Sequence, residues 1–132
     1  MSKITYNLPL FIETGVKKKR KNYLNLNIYR NMPFHMNNNL KRDMKRIVAG
    51  ACPPFNYTCF ELEYKLYLPN QMKRDISNVC SVIDKFQCDA LVELGYVPDD
   101  NYDYLKKVTY LFGGIDRDKS RCEVTVTEVI DG

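Results

Sequence analysis

At 132 residues and 45% hydrophobic content, the chain suits one domain with its own core and leaves little room for a second. Its formal net charge of +4 is too modest to identify a polyanionic partner without a look at where the charges sit. No run approaches the ~20 apolar residues of a membrane-spanning helix, so a helical membrane protein is not expected.

Ile4 to Ile12 reads as a first strand interrupted at Pro9. Gly15 and an unbroken basic run, Lys17, Lys18, Lys19, Arg20 and Lys21, follow it. The next segment, Leu24 to Arg30, alternates polar and apolar residues and is predicted to be a strand or an extended loop, since Asn is poor in strand interiors. Asn37 to Asn39 are placed to cap a helix with Leu40, Met44, Ile47 and Val48 on one face and Lys41, Arg42 and Arg46 away from it. Gly50 and Pro53-Pro54 stop that helix.

The clearest strand alternates Phe60, Leu62, Tyr64, Leu66 and Leu68 with Glu61, Glu63, Lys65 and Tyr67. A second helix is predicted from about Ile76 to Leu94. Its buried stripe is Val79, Ile83, Phe86, Ala90 and Leu94, and Gly95 lies just past its end. Two more strands, about 105–112 and 121–129, are expected to form a hairpin through Gly113-Gly114 and a charged tip. The order predicts a single compact α+β domain over residues 1–132, with a small mixed or antiparallel sheet packed with two helices.

Five cysteines, Cys52, Cys59, Cys80, Cys88 and Cys122, show no C-x-x-C spacing and fall mostly inside predicted elements. They read as small buried residues of a reducing compartment. His35 is the only histidine and has no cysteine pair beside it, which argues against zinc. The apolar stretch before Lys17 is too short and broken for a signal peptide, so a soluble intracellular protein is expected.

The chemistry concentrates in Lys73-Arg74-Asp75-Ile76-Ser77-Asn78, the helix after it, and Asp99-Asp100. Magnesium takes oxygen ligands, commonly one or two carboxylates plus substrate phosphate. Lysines and arginines hold the polyanion, and Lys41, Arg42, Lys45 and Arg46 form a second basic cluster, with pairs at Lys73-Arg74 and Lys106-Lys107. If about six of these cations met phosphates, log K would fall with log salt at a slope of roughly −5. Each site has a plainer reading. Asp75 suits a helix N-cap, and Asp99-Asp100 suits a turn. The strands flanking the two loops can pair, and on that basis both loops are expected at one sheet edge. Lys85 and Asp89 are spaced as an i, i+4 ion pair, or Lys85 is free to offset charge on a phosphate. Glu61 and Glu63, on the polar strand face, are a further source of carboxylate.

From Leu66 onward the chain resembles the RusA family of Holliday junction resolvases. The matching residues are Leu68-Pro69, Lys73 to Asn78, Lys85, Asp89-Ala90-Leu91, Gly95, Asp99-Asp100 and the Glu123 to Glu128 strand; earlier only Leu8-Pro9 and Asn27 to Arg30 match. The resemblance implies a RusA-like fold and a homodimer that nicks branched DNA, such as four-way junctions, with Mg²⁺. It also implies a cytoplasmic setting in a bacterial or phage-infected cell. Asp75 takes the position of the first motif carboxylate, Asp100 that of the second Asp of the D-D pair, and Lys85 that of the helix lysine. Asp99 and Asp84 are supporting metal candidates. DNA contacts are assigned to Lys17, Lys18, Lys19, Arg20, Lys21, Arg30, Lys41, Arg42, Lys45, Lys73 and Arg74.

Ser77 stands where the family pattern has a second carboxylate, and the helix is about one turn longer before Lys85. That turn introduces Asp84 as a substitute ligand, provided the helix starts near Val79; a straight helix from Ile76 would hold Asp84 about 10 Å along the axis from Ser77. The alternative function is a catalytically weak or inactive branched-DNA-binding protein of the same fold.

Overall fold

A computed structural model describes residues 2–15 and 17–130. Among them are six strands and three helices: β1 (Lys3–Leu8), β2 (Phe11–Thr14), β3 (Arg20–Tyr23), α1 (Leu26–Arg30), α2 (Phe34–Ala51), β4 (Phe60–Leu68), α3 (Ile76–Glu93), β5 (Leu105–Ile115) and β6 (Arg121–Glu128). The main sheet has the order β1-β6-β4-β5, with β5 parallel to β4 and the other pairs antiparallel; β2 and β3 form a separate two-stranded ribbon. This is a single α+β domain with a mixed sheet, as the order of elements predicts.

The alternation of β4 is realised in full. Phe60, Leu62, Tyr64, Leu66 and Leu68 are buried, and the intervening residues lie on the half-exposed outer face. Cys122, Val124 and Val126 of β6 and Tyr6 and Leu8 of β1 continue the same inner layer. Helix α3 packs on that layer with Val79, Cys80, Val82, Ile83, Phe86, Cys88, Ala90 and Leu91, and α2 adds Leu40, Met44 and Val48 beside it. All five cysteines are free thiols and four are buried, as small apolar residues should be.

Four details differ from the sequence reading. The first strand is two strands, because the chain turns between Leu8 and Phe11 and leaves the main sheet for the ribbon. Residues 24–30 enter a short helix. The Asn25 side chain caps it by accepting the Ile28 amide at 3.0 Å, and Leu26 and Tyr29, three apart, turn toward the core. Helix α2 begins at Phe34 after Pro33, so Asn37 to Asn39 lie inside it rather than capping it. Finally, β5 and β6 are not a hairpin, because β4 lies between them. Gly113-Gly114 is no turn tip. It sits within β5 at a register shift against Leu66 and Tyr67, where a Cβ on Gly113 would meet the Tyr67 ring at 2.7 Å and Gly114 has φ 139°.

Candidate nucleic-acid interface

The parallel pairing of β4 with β5 decides where the acidic residues lie. Phe60 stands opposite Leu105, and Leu68 opposite Ile115, so the chain leaves β4 at one end of the sheet and enters β5 at the other. Helix α3 spans the return with 18 residues, about 27 Å. Asp75 lies before its first turn and Asp99-Asp100 beyond its last. The expected meeting of the two loops at one edge therefore does not occur within one chain. The strands do pair, but parallel pairing sends the loops to opposite ends.

At the Asp75 end, an open cavity of about 540 Å³ runs between the β2–β3 ribbon and the start of α3. Lys21, Lys73 and Arg74 line it together with Asp75, Asn25, Asn78 and Ser120, over a floor that includes Leu10, Leu24 and Leu68. Phe11 and Tyr23 form an aromatic pair at 5.6 Å on the ribbon, and the Lys21 ammonium stands 4.7 Å from the Phe11 ring centre. Arg74 is held by the loop, its guanidinium donating to Asn70 Oδ1 at 3.1 Å.

Asp75 occupies the N-cap position of α3, yet its side chain makes no capping bond. The amide of Asn78 instead donates to the Asp75 main-chain carbonyl at 3.1 Å. The carboxylate stays exposed in the groove and, among the described residues, accepts only from the Asn78 side-chain amide at 3.5 Å. The capping role expected for Asp75 is thus not used, and its oxygens remain available to a cation. Ser77 next to it is exposed and carries no charge.

At the other end, Asp99 accepts the Asp100 amide at 2.8 Å and the Asn101 side-chain amide at 3.1 Å, in the manner of a turn. The Asp100 carboxyl is held above its ordinary value, first by loss of water around it and then by Asp99 and the nearby Asp89. A cation is the natural complement of such a crowded acidic corner.

Asp84 belongs to neither end. Because α3 is helical from Ile76, Asp84 stays about 10 Å along the axis from Ser77, and it cannot replace the missing carboxylate there. Its carboxylate is occupied by the sheet: Tyr64 donates to Oδ1 at 2.6 Å, Tyr110 to Oδ2 at 3.0 Å and the Cys88 thiol to Oδ1 at 3.1 Å. Gln87 extends the network by donating to the Tyr64 oxygen at 2.8 Å and accepting from Tyr6. Burial, then the neighbouring Cys88 and Asp84, raise the Tyr64 phenol well above its ordinary value, so it stays a donor.

The remaining cations divide. Lys17, Lys18, Lys19 and Arg20 are exposed where the ribbon turns and re-enters β3, next to the groove residue Lys21. Arg30 ends α1 and Arg42 faces solvent on α2. Lys41 and Lys45 reach across to α3, 3.7 Å from Asp89 and 3.6 Å from Glu93. The i, i+4 pairing of Asp89 with Lys85 is therefore replaced by a pair between helices. Lys85 instead stands over the Tyr29 ring at 5.9 Å, midway along α3 and about 15 Å along the axis from Asp75. Glu61 and Glu63 lie with Lys3 and Lys107 on the outer sheet face, opposite the buried face on which α3 packs. Among the described residues, no three His, Cys, Asp or Glu side chains come together as a metal-binding group.

Sequence reasoning missed Phe11, Tyr23, Asn25 and Ser120 as groove residues. The one sequence signal that could have found them is Tyr23, an aromatic residue two positions after the basic run. No helix among the described residues is long and apolar enough to cross a membrane. No protein-family model matches the chain, and no curated protein matches it.

Proposed function

We propose that the protein is a structure-specific endodeoxyribonuclease of the RusA type, acting on branched DNA as a homodimer with Mg²⁺. The observation that carries this reading is the groove in which an uncapped carboxylate, Asp75, stands beside Lys21, Lys73 and Arg74 at a helix N-terminus. Cations and helix amides attract a phosphodiester, and the exposed ring of Tyr23 offers a face on which an unstacked base can lie. A lone carboxylate plus phosphate oxygens falls within the usual ligand set of Mg²⁺, so Asp75 fits as a holder at the groove and Asp100, with Asp99 behind it, at the other end. When bound, the cation supplies charge neutralisation on the phosphate and a more acidic water.

The chain's own residues do the rest. Lys73 and Arg74 orient the phosphate, and the exposed basic residues Lys17 to Arg20 and Arg42 track the DNA arms. Asp84 takes no part, since its carboxylate is bound to Tyr64, Tyr110 and Cys88.

The second reading, a branched-DNA-binding protein without strong cleavage, is favoured by Ser77, which offers no charge where a second carboxylate would strengthen metal binding. Incubation of a synthetic four-way junction and a linear duplex with Mg²⁺ separates the two. The nuclease reading expects paired, junction-selective nicks that Asp75→Asn reduces by at least 100-fold, on the order of 3 kcal/mol of transition-state stabilisation. Salt-sensitive junction binding with no nicks from the wild type would leave the binding protein.

A further inference from the structure

A surface that only tracks phosphates needs cations and little else, yet the groove at the start of α3 holds more than that. Beside Lys21, Lys73 and Arg74 lies an apolar floor that includes the buried side chains of Leu24, Leu68 and Val79. Its volume of about 540 Å³ falls within the ~300–1,000 Å³ of small-ligand sites and is far too small to admit a duplex.

We propose that the groove is a pocket for one unpaired nucleotide, its base over the apolar floor against Tyr23 and its phosphate against Lys73 and Arg74. Branched strands that carry an unpaired residue beside the branch are then the preferred substrates. That preference rests on the endonuclease reading; the pocket itself does not.

Three features of the lining select a nucleotide. The first is aromatic. The Phe11 ring already carries the Lys21 ammonium at 4.7 Å, whereas Tyr23, tilted 56° from Phe11, is 49% exposed. Tyr23 therefore keeps ring surface for a base, and stacking tolerates any base because each has a π-face. The second is polar. Asn25 Oδ1 accepts the Ile28 amide at 3.0 Å, which fixes that side chain and leaves its Nδ2 as a donor. The Asn27 side chain and the Ser120 hydroxyl line the same cavity without a hydrogen-bond partner among the described residues. A base edge presents donors and acceptors together and can satisfy such groups; an inorganic anion can only accept. The third is charge. Three cations face one carboxylate, Asp75, and the first turn of α3 has no side-chain cap, a balance that suits a single phosphate.

The wall that carries Tyr23 is set before any ligand arrives. Buried Asn22 donates to the Ile12 carbonyl at 3.0 Å and to Thr14 Oγ1 at 2.9 Å, and the Leu24 amide donates to the Leu10 carbonyl at 2.9 Å. These bonds hold the ribbon at the groove, so little ordering remains to oppose binding. Such a pocket selects structure without reading sequence. A base in a duplex must leave its partner and its stack to enter, and that cost is least for a residue already unpaired.

The test titrates full-length protein, ¹⁵N-labelled at asparagine and free of Mg²⁺, with thymidine 5′-monophosphate and separately with inorganic phosphate. The nucleotide should bind about tenfold or more tighter than phosphate, and it alone should shift the side-chain amides of Asn25 and Asn27. Tyr23→Ala should reduce its affinity to that of phosphate; Asn27→Ala, also at an exposed position, serves if the first variant does not fold. Equal affinities for nucleotide and phosphate in the wild type overturn the proposal. Binding of a four-way junction with one extra unpaired thymidine at the branch is then compared with a fully paired one. The wild type should prefer the unpaired form by about tenfold, and Tyr23→Ala should bind both alike. Nucleotide binding without that preference overturns the strand as the source and assigns the pocket to a free nucleotide. The preference intact, with no nicks when Mg²⁺ is added, would instead refute the endonuclease reading and leave the pocket standing.

Discussion

Three aspartates on or beside one helix have three different fates, decided by what surrounds each. Asp75 ends in solvent among cations, Asp100 in an acidic corner, and Asp84 under two tyrosines. Their stability effects should separate accordingly. Asp84→Asn places an amide donor against phenols that already donate, and should cost about 1–3 kcal/mol, read as a fall in the urea midpoint. Asp75→Asn removes no capping bond and should change stability by no more than about 0.5 kcal/mol. Any loss of cleavage in Asp75→Asn is then chemical, while a loss in Asp84→Asn reflects a weakened sheet. In the sequence all three were plain acidic residues; Asp75 stood out because basic residues precede it, whereas the partners of Asp84 are 20 and 26 positions away.

At the scale of elements, local signals were legible where they were strong. The five-fold alternation of β4 and the stripe of α3 were read at nearly their observed limits, because period 2 and period 3.6 leave little choice of face. Weak signals misled. Leu24 to Arg30 alternates like a strand, but one Asn cap and the packing of Tyr29 against Phe86 at 5.9 Å make it a helix. Gly113-Gly114 looks like a hairpin tip, yet glycine is needed there for close approach to Tyr67, whose ring also stacks under Arg121 at 3.9 Å. Gly113→Val should force that ring aside and cost about 1–3 kcal/mol, checked by thermal melting, whereas Gly50→Ala, a helical position whose Cβ meets open space, should be neutral or stabilise by up to about 1 kcal/mol.

At the scale of the molecule, charge is sorted rather than abundant. The net charge is only +4, yet Lys21, Lys73 and Arg74 converge on one groove while Lys41 and Lys45 are balanced by Asp89 and Glu93. Salt titration of junction binding should report this. Replacing Lys21, Lys73 and Arg74 together by alanine should lower the log–log salt slope by roughly 0.9 per phosphate contact removed. Replacing Lys41 and Lys45 should change it less, and an equal effect from both sets would mean the groove is not the DNA track.

The sequence by itself determined the α+β class, the faces of β4 and α3, the free buried cysteines, and the presence of Asp75 and its basic neighbours at the start of a helix. These follow from period, capping position and composition, which act over a few residues. Only the tertiary structure decided that β4 separates β5 from β6, that parallel pairing holds Asp75 and Asp100 apart within one chain, and that Asp84 serves the sheet. Those depend on which strand neighbours which. Strand order is chosen by burying the whole inner layer at once, a sum over distant residues that no local pattern encodes.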